Sequence, residues 1–399
     1  MKITEDAVGK KILFIPMSWG RGMGPLMDCL AVAENARSIG CQVAFLCRDR
    51  FYEIIKEFDY PIYKVVSPKS PTKLNQSFNT DFPFFQGLGD EKLVKQTIED
   101  EMKAIKNYCP DVVFSWLQFT AYISTKTLGV PLASVGRWTG HPKFTSPMLK
   151  GGRFPISATT PLFNQLLKKY NLPSIRDIWE LDFIRSDLKI IPGTPELEPG
   201  LKELQNSHYV GYLSSGNISK KKLPDRLIDL LPNQHIVFVY LSTKQFLPQD
   251  YLPIFKKAFD CSEFKVIVAT GLEDMPSRLP TNSTNVQFEH LVSINTLLPK
   301  IDIIISTGTR GVSWQAALNG IAHISFPDTD PERYFVASMV ERAGAGLTLP
   351  DSAFEPKRLL ESVRLVYRSR MKEKAKKLGS RLRFLGGPQK TARLLMQKL

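Results

Sequence analysis

Ile301-Asp302-Ile303-Ile304-Ile305-Ser306-Thr307-Gly308-Thr309-Arg310-Gly311 runs a short, mostly apolar strand straight into Gly-x-x-Gly and then into the helical pattern Ser313 to Leu318. Backbone N–H groups at such a helix N-terminus point to one side, a geometry that binds phosphate. Gly308 and Gly311 let the backbone approach a diphosphate closely, while the hydroxyls of Thr307 and Thr309 and the cation of Arg310 add hydrogen bonds to its oxygens. An ordinary strand-to-helix turn accounts for the same pattern, so the stretch alone leaves both readings open.

Outward from it, apolar runs alternate with longer helical patterns. Downstream of residue 234 these are His235 to Leu241, Tyr251 to Phe259, Lys265 to Thr270, Val286 to Phe288, Ile301 to Ser306, Gly311 to Asn319, Ala322 to Ser325, Glu332 to Ala343 and Gly346 to Leu349. A first series precedes it: Lys11 to Pro16 then Met23 to Ile39, Gln42 to Cys47 then Phe51 to Glu57, Ile62 to Val66, Val112 to Trp116 then Phe119 to Leu128, and Pro131 to Val135. Strands buried on both faces and separated by helices predict an α/β protein with two doubly wound, Rossmann-like sheets facing across a cleft. The expected boundaries are 1–213 for the first domain, 214–234 for a linker containing Lys220 to Lys222, and 235–399 for the second, whose last helices are free to pack back on the first. Two excursions, Ser67 to Asp90 and Thr139 to Pro161, sit where loops shape a ligand cleft.

At 399 residues, two domains are the default expectation. No apolar run reaches the ~18 residues needed to cross a bilayer, and Met1 to Lys10 lacks the pattern of a secretory signal, so a cytoplasmic protein is expected. The five cysteines form no CxxC pair, which argues against a disulfide framework or a zinc site. A net charge of +14 favours anionic company. From Tyr367 to Leu399 there are eleven Lys and Arg against one acid, Glu373. They form either a solvated helix face or a dock for anionic membrane lipids. Nucleic acid is not expected, because no aromatic residues are interleaved to stack bases.

The run from Val237 to Leu349 resembles the donor half of the family 1 glycosyltransferases, the UDP-glycosyltransferase and macrolide-glycosyltransferase type with the GT-B architecture. Val237 to Leu241 with Ser242-Thr243 resembles the family's opening strand and turn, and Leu297-Leu298-Pro299 the turn before its signature strand. Thr307-Gly308-Thr309-Arg310-Gly311, followed by Gln315-Ala316-Ala317 and Gly320, is similar in spacing to the family's His-Gly-Gly-x-Gly-Thr-x-x-Glu-Ala-Leu-x-x-Gly. Glu332-Arg333, then Val336-Ala337, Val340 and Gly344-Ala345-Gly346, resembles the acidic-Gln pair and helix that grip the donor sugar. Pro110-Asp111-Val112-Val113 and Leu128-Gly129-Val130-Pro131 extend the resemblance into the first half.

The resemblance implies a nucleotide-sugar site built from Ser242, Thr243, His290, Leu291, Thr307, Gly308, Thr309, Arg310, Gly311, Gln315, Asp330, Glu332 and Arg333, with Asp328 beside them. It also implies an acceptor-side loop at Gly20, Arg21, Gly22 and Met23. The chain departs from the family where the chemistry is most exacting. Thr307 replaces the signature His, Thr309 the second Gly and Gln315 the ribose-contacting acid. Gly22 stands where the family carries its general-base His, and Ser115-Trp116 where it carries the partner acid. Proton abstraction by a positioned base contributes about 100- to 10,000-fold, so another residue supplies it, the acceptor does not need it, or the chain does not catalyse. Asp28, one turn beyond the glycine-rich loop, and His141, in the loop after the fifth strand, are the candidates; a helix-start carboxylate and an exposed loop imidazole are their ordinary readings.

The expected function is therefore inverting transfer of a sugar from a UDP- or dTDP-sugar co-substrate to a small-molecule acceptor, with the hydrophobic excursion Phe82 to Phe85 favouring an apolar one, without metal or other cofactor. A catalytically inert nucleotide-sugar binder, or the auxiliary partner of an active enzyme, is the alternative.

Overall fold

The computed structural model describes residues 9–19, 23–66, 81, 83–213, 235–241, 248–269, 282–289, 292 and 297–397. The chain divides into two compact units: Met1–Ser215 together with Phe384–Leu399, and Gly216–Arg383.

In the first unit, β1 (Lys11–Pro16), β2 (Gln42–Cys47), β3 (Ile62–Lys64), β4 (Val112–Trp116), β5 (Leu132–Val135), β6 (Leu188–Ile191) and β7 (Ser207–Tyr209) make one sheet in the order β3-β2-β1-β4-β5-β6-β7. Every pairing is parallel. Parallel neighbours need crossovers, and α1 (Gly24–Ser38), α2 (Asp49–Lys56), α3 (Glu91–Tyr108), α4 (Ala121–Leu128) and α5 (Thr160–Lys169) lie in them. Helices on the sheet faces explain why β1 reads Lys-Ile-Leu-Phe-Ile-Pro and buries all but its first residue. Register sets Phe14 opposite both Phe45 and Phe114. The rings pack side by side, with centroids 5.3 Å apart in each pair.

The second unit repeats the plan with β8 (His235–Tyr240), β9 (Phe264–Ala269), β10 (Val286–Glu289), β11 (Ile303–Ser306), β12 (Ala322–Ser325) and β13 (Gly346–Thr348) in the order β10-β9-β8-β11-β12-β13, again all parallel. Its helices are α6 (Pro248–Phe259), α7 (Arg310–Leu318), α8 (Pro331–Arg342), α9 (Pro356–Arg368) and α10 (Met371–Phe384). Successive strand residues feed opposite cores. Val237, Val239, Ile303 and Ile305 meet Phe255 and Val363 on one face. Ile236, Phe238 and Ile304 meet Leu297, Val312 and Ala316 on the other.

The last helix, α11 (Gly387–Leu395), belongs to the first unit, where it packs along α1. Gly387 N donates to Val210 O at 2.6 Å, Lys390 Nζ to Tyr209 O at 2.7 Å, and Lys10 Nζ to Met396 O at 2.9 Å. In the second unit α10 crosses α7 so closely that a Cβ on Gly379 would lie 2.0 Å from Ala317 O.

Each sheet has one place where adjacent strands are not consecutive and the winding reverses: β1 beside β4, and β8 beside β11. Ligands of doubly wound sheets sit outside the carboxyl ends of the strands at such a point. The residues that follow Pro16 and Trp116, and those that follow Tyr240 and Ser306, are therefore the ones that matter.

Candidate functional site

After Ser306 the chain turns into α7 through Gly308, whose φ of +77° is a left-handed conformation natural to glycine. A Cβ there would also sit 3.4 Å from Ala337 Cβ, Arg333 O and Ser325 Cβ. Thr309 is extended (φ −63°, ψ 145°) and its side chain caps no amide of α7. The helix thus starts at the sheet's switch point without a side-chain cap from Thr309.

The turn is braced from below. Ser306 Oγ accepts from Gly308 N at 3.0 Å and lies 2.8 Å from His323 Nε2. The Ser306 hydroxyl keeps one hydrogen and a second acceptor site besides the Gly308 bond, so it pairs with His323 Nε2 in either tautomer. Burial holds the imidazole pKa down at about 3, so the ring stays neutral.

Of the residues expected to hold a nucleotide sugar, Thr307 and Gly308 are buried, Thr309, Arg310 and Gln315 are partly exposed, and Gly311 is exposed. Arg310 Nε lies 4.0 Å from Glu332 Oε1, with the guanidinium side chain 10 % exposed. Asp330 is committed to α8: its Oδ1 accepts from Glu332 N at 2.9 Å and Arg333 N at 3.0 Å, and Arg333 Nε lies 3.6 Å from Oδ2. Burial raises its pKa to about 6 against the pull of Arg333. It acts in the structure as a helix cap, which the sequence reading as a sugar contact did not include. Ser242, Thr243, His290 and Leu291 lie outside the described residues.

In the first unit, Gly20, Arg21 and Gly22 also lie outside the described residues, and Met23 precedes α1. Asp28 Oδ2 accepts from Trp116 Nε1 at 3.0 Å, joining the first turns of α1 to the carboxyl end of β4. Arg137 lies over the Trp116 ring, 5.2 Å from its centre. His141 is turned to a local task. Its Nδ1 accepts from Lys143 N at 3.0 Å and its ring stacks on Trp138 at 5.0 Å. Burial, then Lys143, lowers its pKa. With Nδ1 accepting that amide, the neutral ring carries its proton on Nε2.

Sequence reasoning missed Glu101, Gln118 and His323. Glu101 carried a legible signal: Val94, Thr97, Ile98, Ala104 and Ile105 are the buried stripe of α3, and a glutamate stands inside it. His323, between Ala322 and Ile324 in a buried strand, was legible in the same way.

No family model matches the chain, and no curated protein matches it in sequence. Solved structures do match in shape. The calicheamicin glycosyltransferase CalG4 superposes with a TM-score of 0.75 at 17 % identity, over 96 % of this chain and 97 % of that one. The spinosyn forosaminyltransferase SpnP gives 0.72 at 15 % identity over 97 % and 100 %. The glycosyltransferase VinC, in complex with dTDP, gives 0.69 at 15 % identity over 96 % and 98 %. The fold is GT-B. Within GT-B terms, Ser306 to Gly311 is the turn at the switch point of the second sheet and Asp28 with Trp116 stands at that of the first. Among the described residues, no helix is long and apolar enough to cross a membrane.

Proposed function

We propose that the chain is an inverting glycosyltransferase that takes a UDP- or dTDP-sugar at Thr307 to Gly311 and passes the sugar to a small apolar acceptor. The observation that carries the reading is the left-handed Gly308 turn leading from β11 into the start of α7 at the switch point of its sheet. The GT-B neighbours support it, one of them holding dTDP and another, a spinosyn rhamnosyltransferase, holding its aglycone.

In this reaction the acceptor oxygen attacks the anomeric carbon from the face opposite the diphosphate. The anomeric C–O bond breaks and its electron pair leaves on the β-phosphate oxygen. Amides of the first turn of α7 and the guanidinium of Arg310 neutralise the growing charge without a metal. Arg310 must turn from Glu332 toward the phosphate when the nucleotide enters, since a charge-assisted bond to phosphate replaces a contact at 4.0 Å. Asp28 takes the acceptor's proton: Trp116 Nε1–H holds one carboxylate oxygen in place and so orients the group as a base.

The apolar acceptor is supported by two loops at the carboxyl edge of the first sheet. Phe84 is 45 % exposed and Ile156 71 % exposed. Asp81 ties their loops together by accepting from Ser157 Oγ at 2.7 Å and from Ala158 N. The exposed Lys374, Lys377 and Arg381 on α10 further suit contact with an anionic membrane surface, checked by vesicle binding that rises with anionic lipid and falls with salt.

The deciding experiment is calorimetric titration of UDP, dTDP and GDP into the wild type and Arg310→Ala, followed by release of nucleoside diphosphate from the matched sugar donors. Tight binding of one nucleotide, weakened about tenfold by the substitution, supports the donor site. Binding of none removes it and leaves the inert-partner reading.

A further inference from the structure

A buried polar cluster lies where β1 and β4 end, and the transfer chemistry makes no use of it. At its centre is Glu101, fully buried on the apolar stripe of α3. Its Oε1 accepts from Gln118 Nε2 at 2.8 Å and from Thr120 Oγ1, and its Oε2 accepts from Ser124 Oγ. Gln118 Nε2 also donates to Thr120 Oγ1 at 3.1 Å. The other end of the Gln118 amide meets the chain just beyond β1: Oε1 accepts from Ser18 N at 3.0 Å and from Ser18 Oγ at 2.9 Å. The last polar group of Ser18, its carbonyl, accepts from Arg48 Nη1 at 3.4 Å. Every polar group of Ser18 is therefore held, two of them by one side chain.

The Ser18 N–H only donates, so the amide oxygen of Gln118 faces it and the NH2 faces Glu101, whose Oε1 accepts. The reverse orientation would set the NH2 against the Ser18 N–H and leave a buried donor without a partner, the costly outcome in a dry site. An apolar residue on this stripe would fill the core equally well, and it would remove the oxygens to which Gln118, Thr120 and Ser124 all donate. We propose that Glu101 is a positioning residue: acting through Gln118, it fixes Ser18 and Trp19 in the turn after β1, on the acceptor side of the transfer reaction. The acceptor-side part rests on the glycosyltransferase reading; the coupling from Glu101 to Trp19 does not.

Trp19, only 1 % exposed and adjoining Ser18, is the reporter. Its fluorescence and acrylamide quenching are isolated by subtracting the Trp19→Phe protein. Glu101→Gln keeps the shape and turns one acceptor into a donor; Gln118→Leu removes the link itself. Both are expected to raise Trp19 quenching about twofold and to lower kcat/KM for the acceptor about fivefold to tenfold, the loss of one to two oriented hydrogen bonds. UDP or dTDP affinity is expected to stay at the wild-type value. Should Glu101→Gln fail to fold, Ser124→Ala removes a single donor to Glu101 and is expected to show the smaller shift in the same direction. Trp19 quenching unchanged in the folded variants overturns the coupling. Altered quenching with unchanged acceptor kinetics overturns the acceptor-side role. A wild type that binds nucleotide and transfers to no acceptor counts against the glycosyltransferase reading, and the Trp19 signal still decides the coupling.

Discussion

His323 Nε2 stands 2.8 Å from Ser306 Oγ, and that same oxygen accepts the Gly308 amide at 3.0 Å. A buried imidazole on β12 thus holds the turn through which β11 enters α7. His323→Leu would remove the ring nitrogen that pairs with the buried Ser306 hydroxyl, at a cost of about 1–3 kcal/mol. Thermal melts are expected to show that loss, and nucleotide titration an affinity several-fold weaker. Equal affinity in the two proteins would show that the brace serves the fold alone.

The same residue makes stability fall in acid. Its folded pKa of about 3 lies below the ordinary 6.5, so the neutral ring's contribution is present above pH ~6.5 and is lost as pH falls from there toward ~3. His323→Leu is expected to flatten this part of the stability profile, read from denaturant melts at a series of pH values.

Glu101 works in the opposite sense. Burial raises its folded pKa to about 7 from 4.5, even against the hydrogen bonds from Ser124, Thr120 and Gln118. The folded state then holds a proton that the unfolded chain has released, so the penalty grows as pH rises from about 4.5 to about 7, reaching roughly 3 kcal/mol. Glu101→Gln, which does not titrate, should gain stability relative to wild type between pH ~5 and pH ~8. A constant difference across that range would contradict the burial effect.

Gly379→Ala is expected to destabilise the second unit. The added Cβ would meet Ala317 O at 2.0 Å and Ala317 C at 2.6 Å, both backbone atoms that cannot swing aside. Overpacking of this kind costs about 1–3 kcal/mol, more than the ~1 kcal/mol an alanine gains over glycine in a helix. A lower melting temperature with unchanged first-unit stability checks it.

Gly308→Ala tests the phosphate turn itself. A left-handed conformation costs a non-glycine residue about 1–2 kcal/mol, and the new methyl group crowds Arg333 O and Ser325 Cβ at 3.4 Å. Nucleotide affinity is expected to drop more than melting temperature does. The reverse order would make the turn a structural connection only.

Much of the architecture was legible as period and order. Ile303 to Ser306 and Lys11 to Pro16 read as strands because residues buried on both faces leave unbroken apolar runs, and the structure has both in parallel sheets. The site was legible only in part. Gly308 was legible as the turn between a strand and a helix, and its φ of +77° agrees with that. Asp330 was read as a sugar contact, and its cap on α8 depends on where a helix begins, a boundary that sequence pattern leaves uncertain by a residue or two.

The sequence by itself determined the two α/β units and the strand-to-helix turn at Gly308, since each depends on local pattern and residue type. Tertiary structure alone decided which distant polar groups share a hydrogen bond. His323 meets Ser306 because β12 pairs with β11 in register, Ser18 meets Gln118 because β1 lies beside β4, and Trp116 reaches Asp28 for the same reason. Strand order is set by how the helices cover both faces of each sheet, a global packing outcome that spacing along the chain does not encode.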